Sequence, residues 1–149
     1  MSVRSRTREE QTVSPSRERA VRSRTATAIV TTVRVNKQVF QKLDSLIKRD
    51  ELYLSADLSR EDLVRMAHMN NTRFAKMIKE NTGTNLSGYI NELRLNHAIH
   101  LLKEHPEYTL RAIAEASGIN SMPTFHSLFK NKTGMTSSEF KKTQMDMKQ

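Results

Sequence analysis

The chain has 149 residues and a formal net charge of +9, enough for one domain or two small lobes sharing a helix, and its charge suits nucleic acid or, less often, an anionic membrane surface. The absence of Cys excludes disulfides and thiolate metal sites, and no apolar run approaches the ~20 residues of a membrane span or forms the core of a secretory signal, so a cytoplasmic protein is expected. Four Gly and three Pro, among abundant Leu, Lys, Arg, Glu and Met, favour an all-α fold.

Residues 1–28 hold Arg, Ser, Thr and Glu and nothing apolar enough to form a core. Through Val35 there are eight Arg against three Glu, so residues 1–35 read as a disordered basic tail or linker. Such a tail is either simply solvated or an arm that adds phosphate contacts or enters a minor groove. The β-branched run Ile29–Val35 could pair as a short strand. The folded region, 36–149, starts near Asn36, where Val39, Phe40, Leu43, Leu46 and Ile47 share one face of a helix. Leu52, Tyr53, Leu54 and Leu58 make an apolar connector. Ser59-Arg60-Glu61-Asp62 then has the form of a capping box, opening a helix that carries Leu63, Val64 and Ala67 inward. His68-Met69-Asn70 is a turn, and Asn70 is a good N-cap for a helix ended by Gly83.

A long helix is predicted from about Leu86 to His105, with Leu86, Tyr89, Ile90, Leu93, Ala98, Leu101 and Leu102 at helical spacing. Leu95 and Ile99 add a second apolar edge, so both sides of this helix are expected to be covered. Pro106 closes it. Thr109 caps the next helix, through Ile113 and Ala114, and Gly118 stands in the following turn. Asn120 or Ser121 caps a further helix, with Pro123 in its first turn, where a missing N–H costs little. Gly134 ends that helix, and Thr136 to Lys142 forms a last one burying Phe140.

These elements contain a repeat. Phe74-x-x-Met77-Ile78-Lys79-x-x-Thr82-Gly83 returns as Phe125-x-x-Leu128-Phe129-Lys130-x-x-Thr133-Gly134, each residue 51 positions on. Upstream, Leu63-Val64 and Met69 match Ile113-Ala114 and Ile119 at an offset of 50, so the second turn holds one extra residue. Each copy is a short helix, a tight turn and a second helix, the pattern of a helix-turn-helix. The expected architecture is about seven helices, with one unit at about 59–83, a linker helix at about 86–105 and a second unit at about 109–134. A linker of roughly 20 residues is ~30 Å long, close to the ~34 Å between successive turns of one DNA groove. One chain then meets two adjacent major-groove segments on one face of a duplex, at an asymmetric site.

The sequence resembles the AraC/XylS family of bacterial transcription regulators across about residues 38–143. Leu63-Val64, Met69-Asn70 and the Phe74–Gly83 block carry the likeness first. It continues through Tyr89-Ile90-Asn91-x-Leu93-Arg94-Leu95, Ala98-x-x-Leu101-Leu102, Ile113-Ala114-x-x-Ser117-Gly118-Ile119 and the Phe125–Thr136 block. The resemblance implies a sequence-specific regulator, mostly of the activating kind, whose partners are double-stranded DNA and RNA polymerase. It implies no cofactor. His68 stands where the family usually has Gly, Ile119 where it has Phe, and Ser137 where it has Pro. Most members carry a separate sensing or dimerisation domain, which 35 residues cannot make. The chain therefore reads as the DNA-binding output module of a longer sensor protein more than as a stand-alone monomer.

Base readout needs side chains on the outer face of each second helix near its start. In the first unit that face offers Asn71, Thr72, Arg73, Ala75 and Lys76, of which the resemblance selects Thr72, Arg73 and Lys76 most strongly. In the second it offers Ser121, Met122, Pro123, Thr124, His126, Ser127 and Lys130, a set poor in charge and so expected to discriminate less. Lys79 and Lys130 suit phosphate or their own helix ends, and Ser59, Arg60, Thr109 and Arg111 lie at helix N-termini that favour phosphate. Arg94, inside an apolar stripe, is expected to pair with Glu92 or Asp62. His97 and His100 lack a third metal ligand and read as surface residues, and the eight Met read as packing. A diverged protein-interaction module is the rival reading. An enzyme is not indicated, because neither paired carboxylates, a nucleophile with a base nor a Gly-rich phosphate loop is present.

Overall fold

A computed structural model describes residues 15–149, with side chains from residue 24 onward. The chain divides into two units, with the boundary between Asn36 and Lys37. Helix α1 (Pro15–Arg49) includes all described residues of the first unit. Residues 15–35 are thus helical, where the sequence had predicted a disordered tail and a short strand at Ile29–Val35. The physical reason is local. No Gly or Pro interrupts the run after Pro15, and the β-branched segment returns its spare hydroxyls to the helix: Thr31 Oγ1 donates to Thr27 O and Thr32 Oγ1 to Ala28 O, each at 2.9 Å. Ile29, Val30 and Val33 are exposed there. Residues 1–14 of the predicted tail lie outside the described residues.

In the second unit the end of α1 is followed by a 3-10 turn (Leu52–Leu54), α2 (Arg60–Ala67), α3 (Asn71–Thr82), α4 (Leu86–Glu104), α5 (Leu110–Ala116), α6 (Met122–Thr133) and α7 (Ser137–Met147). The fold is all-α. Most of the starts follow from side-chain caps: Asn70 accepts from Arg73 N, Thr109 from Ala112 N and Ser121 from Thr124 N, while Ser59–Asp62 and Thr136–Glu139 form full capping boxes. Gly83 and Gly134 end α3 and α6 in the left-handed conformation. The caps also locate the extra residue of the second copy. Ile119 follows Met69 by 50 positions but Ser121 follows Asn70 by 51, so Asn120 is the insertion.

Two separate cores form. The first joins Leu43 and Ile47 of α1 to Leu63 and Ala67, to Phe74, Met77 and Ile78, and to Tyr89 and Ile90. The second joins Leu95, Ala98 and Leu102 to Ile113, Ala114 and Ile119 and to Phe125 and Phe129. Helix α4 therefore serves both, with Tyr89 and Ile90 on one side and Leu95, Ala98 and Leu102 on the other. It packs against α3, α5, α6, α7 and the 3-10 turn. Burying one large apolar side chain contributes about 1.5–3 kcal/mol, so each core supplies far more than the exposed ion pairs around it. Asp44 of α1 accepts from the Tyr89 hydroxyl and lies 3.0 Å from Lys48. Burial, then the Asp44 carboxylate, pushes the Tyr89 pKa up, so the phenol stays a donor.

Arg94 does not make the ion pair predicted for it. Its Nε donates to Tyr53 O at 2.6 Å and its Nη2 to Ser55 O at 2.8 Å, while Glu92 takes Lys132 of α6 at 2.8 Å instead. Asp62 is already engaged by the Ser59 cap. A half-buried guanidinium needs acceptors, and the connector carbonyls beside it need donors.

Ser117 is fully buried, and among the described residues its hydroxyl has no hydrogen-bond partner. An unsatisfied buried hydroxyl is costly, so Ser117→Ala is expected to stabilise the fold by about 1 kcal/mol. The urea midpoint should rise at unchanged slope; a fall would show that the hydroxyl contributes to packing or bonding.

Candidate nucleic-acid interface

Helix α3 separates its faces cleanly. Phe74, Met77 and Ile78 have no exposed surface, whereas Asn71, Thr72, Arg73, Ala75 and Lys76 are exposed. Asn70 Oδ1 accepts from Arg73 N at 2.8 Å and so pins the first turn, where these outward side chains begin. Lys76 lies 3.8 Å from Glu80, an exposed pair that leaves the ammonium easy to redirect. Arg60, assigned from sequence to phosphate, is half-buried as a brace for this helix. It donates to Asn71 O at 3.3 Å, and its guanidinium sits 5.6 Å from the Phe74 ring centroid.

Helix α6 repeats the arrangement with different chemistry. Phe125 and Phe129 are fully buried, and Ser121, Pro123, Thr124, His126, Ser127 and Lys130 are exposed. Met122 departs from the sequence reading. It packs against the second core because positions 122, 125 and 129 fall on one helical face. Part of the Met122 side chain is thus turned inward, which leaves less of it for the predicted apolar contact to a base. The His126 ring is held in place, with Nδ1 2.6 Å from Oγ of the buried Ser137. From sequence Ser137 is only a departure from the family's usual Pro; the hydroxyl at that position was the available signal.

The supporting helices differ. The first turn of α2 carries Glu61 and Asp62, and hydrogen bonds from Ser59 hold the Asp62 carboxyl below its usual range. That charge already complements the α2 N-terminus, so Ser59 is poorly placed to draw a phosphate. The first turn of α5 has no acid, and Thr109 and Arg111 are exposed there. Lys79 and Lys130 are exposed in the last turns of α3 and α6. His97 packs edge-on to Tyr53 at 6.3 Å, and burial lowers its pKa, whereas His100 is exposed. No cluster of three metal-ligating side chains occurs among the described residues, and no described helix is long and apolar enough to cross a membrane.

Two capped helix-turn-helix units on one shared helix are therefore in place, and a helix-turn-helix domain family model matches residues 63–143. The chain belongs to the AraC-type helix-turn-helix family.

Known relatives agree. The uncharacterized transcriptional regulatory protein YesN of Bacillus subtilis (strain 168) is 38% identical over 80 residues, covering 53% of this chain and 22% of that protein. The uncharacterized regulator YobQ of the same organism is 31% identical over 83 residues, covering 56% of this chain and 34% of that protein. The matched region thus spans only about a fifth to a third of those two relatives. A solved transcriptional regulator from Chromobacterium violaceum, described as having an AraC-type DNA-binding domain, superposes with a TM-score of 0.62 at 26% identity, covering 72% of this chain and 93% of that one. Against the AraC-type pattern, His68 takes the left-handed conformation (φ 54°) normally left to Gly, and Ile119 is buried in the second core.

Proposed function

We propose that this AraC-type domain is a sequence-specific reader of double-stranded DNA that seats α3 and α6 in adjacent major-groove segments and so activates transcription. The observation that carries the proposal is the shared α4, 19 residues and therefore about 29 Å long, with a capped second helix and an exposed polar face served from each of its ends. The first reading face is Asn71, Thr72, Arg73 and Lys76. The second is Ser121, Pro123, Thr124, His126 and Ser127. Lys79, Lys130, Thr109 and Arg111 meet phosphate, with Arg60 adding a contact beside its bracing role. On this reading the chain is the DNA-binding output of a longer regulator, acts on the nucleoid in the cytoplasm and presents a surface to RNA polymerase.

Selection from a random duplex pool, followed by footprinting, tests the proposal. An asymmetric site with two protected segments about ten base pairs apart is expected. Protection of a single segment, or binding without steep salt dependence, would refute it. Arg73→Ala should weaken binding to the selected site by roughly 5- to 150-fold while affecting random DNA much less. Equal loss on both would place Arg73 on phosphate. Lys130→Ala should weaken binding evenly across sequences and reduce the salt slope by about one. An altered sequence preference would count against that role.

A further inference from the structure

We infer that Arg94 is a positioning residue that locks the two reading units at one mutual angle and thereby sets the half-site spacing the chain accepts. The inference rests on the DNA-reading proposal above and adds a determinant of specificity that touches no DNA. The two cores have no buried residue in common, and among the described residues only α4 supplies buried side chains to both. A single helix fixes the distance between its ends but resists twisting poorly when only one or two faces are held. The connector after α1 supplies the second attachment. Its 3-10 turn, Leu52–Leu54, packs on α4, and Tyr53 and Leu52 belong to the first packing cluster. The same segment reaches the turn of the second unit. A Cβ on Gly118 would lie 2.8 Å from Leu54 O, 2.9 Å from Tyr53 O and 3.0 Å from Arg94 Nε.

Arg94 therefore stands where the shared helix, the connector ahead of the first helix-turn-helix and the turn of the second helix-turn-helix meet. Its two bonds, to Tyr53 O and Ser55 O, hold the connector by a fork that spans two carbonyls two residues apart. A lysine ammonium is a compact point charge without the planar, spaced donors of a guanidinium, so it cannot reproduce that fork. The ion pair between Lys132 and Glu92 joins α6 to α4 as well, but both side chains are about half-exposed and contribute little rigidity. Two linked heads bind far more tightly than either alone only when their geometry lets both engage, so a fixed angle converts directly into a spacing preference.

The test uses the full chain and a set of duplexes in which the two selected half-sites are separated by spacers varied one base pair at a time. For the native protein one spacing should exceed its neighbours by at least about tenfold. Arg94→Met should flatten that preference to within about threefold while leaving affinity for either half-site alone unchanged. Arg94→Lys should fall between the two, and it serves the same comparison if Arg94→Met fails to fold. Because the chain has no Cys, spin labels can be placed uniquely at Glu61→Cys and Glu115→Cys, exposed positions of α2 and α5. A narrow distance distribution without DNA should broaden in the Arg94 variants. Native spacing preference and native label distances in those variants would overturn the inference, as would broadening of the distances with the spacing preference intact. Failure of the native chain to select any DNA would instead defeat the DNA-reading proposal, while the label distances would still report on the clamp.

Discussion

Phe129→Ala should lose about 3–5 kcal/mol of stability. Phe129 has no exposed surface, and its ring lies 5.7 Å from Phe125 and 5.2 Å from Phe140. Truncation removes both contacts and leaves a cavity that neighbouring aromatic rings, fixed on two helices, cannot easily fill. A loss of this size approaches the whole stability of a small domain, about 5–15 kcal/mol. Because the second core is distinct from the first, the damage should be local. Amide exchange is expected to show α5, α6 and α7 losing protection while α2 and α3 keep theirs. Equal loss across both units would show that the two cores unfold as one.

Gly118→Ala ranks second, at roughly 2–5 kcal/mol, the sum of left-handed strain and a steric clash. The residue has φ +80°, and the new methyl would press on the carbonyl oxygens of Leu54 and Tyr53, which are backbone and cannot rotate aside. Gly134→Ala is the natural control. Its φ is +74°, nearly the same, but nothing lies within 4 Å of the added carbon, so only the conformational cost of about 1–2 kcal/mol is expected. Thermal melts of the two variants should therefore differ by the clash alone. Equal destabilisation would mean that the connector moves aside freely, and that the contact between connector and turn is loose.

From α2 to α7 the helices, most of their caps and the duplication were legible because helix starts and faces depend on residues within one turn of each other, whereas the helical course of residues 15–35 was not. Ser59, Asn70 and Thr109 cap as their residue types and positions predicted, and His68 accepts a left-handed backbone as its side chain allows. The outward face of α3 was legible for the same reason, since period 3.6 separates Phe74, Met77 and Ile78 from Arg73 and Lys76. That of α6 was legible except at Met122. Its own period placed it with Phe125 and Phe129, but its position at the helix start drew it into the reading set.

Local sequence thus determined a duplicated helix-turn-helix with polar second helices on a shared α4, because hydrogen-bond caps and helical periodicity are short-range. Tertiary structure decided which partners satisfy several polar side chains. Arg94 takes carbonyls 39 and 41 residues away, Arg60 braces α3, and His126 is steadied by Ser137 from the next helix. Sequence pattern marks such groups as needing partners but does not name them, since the partner is whichever acceptor packing brings within about 3 Å.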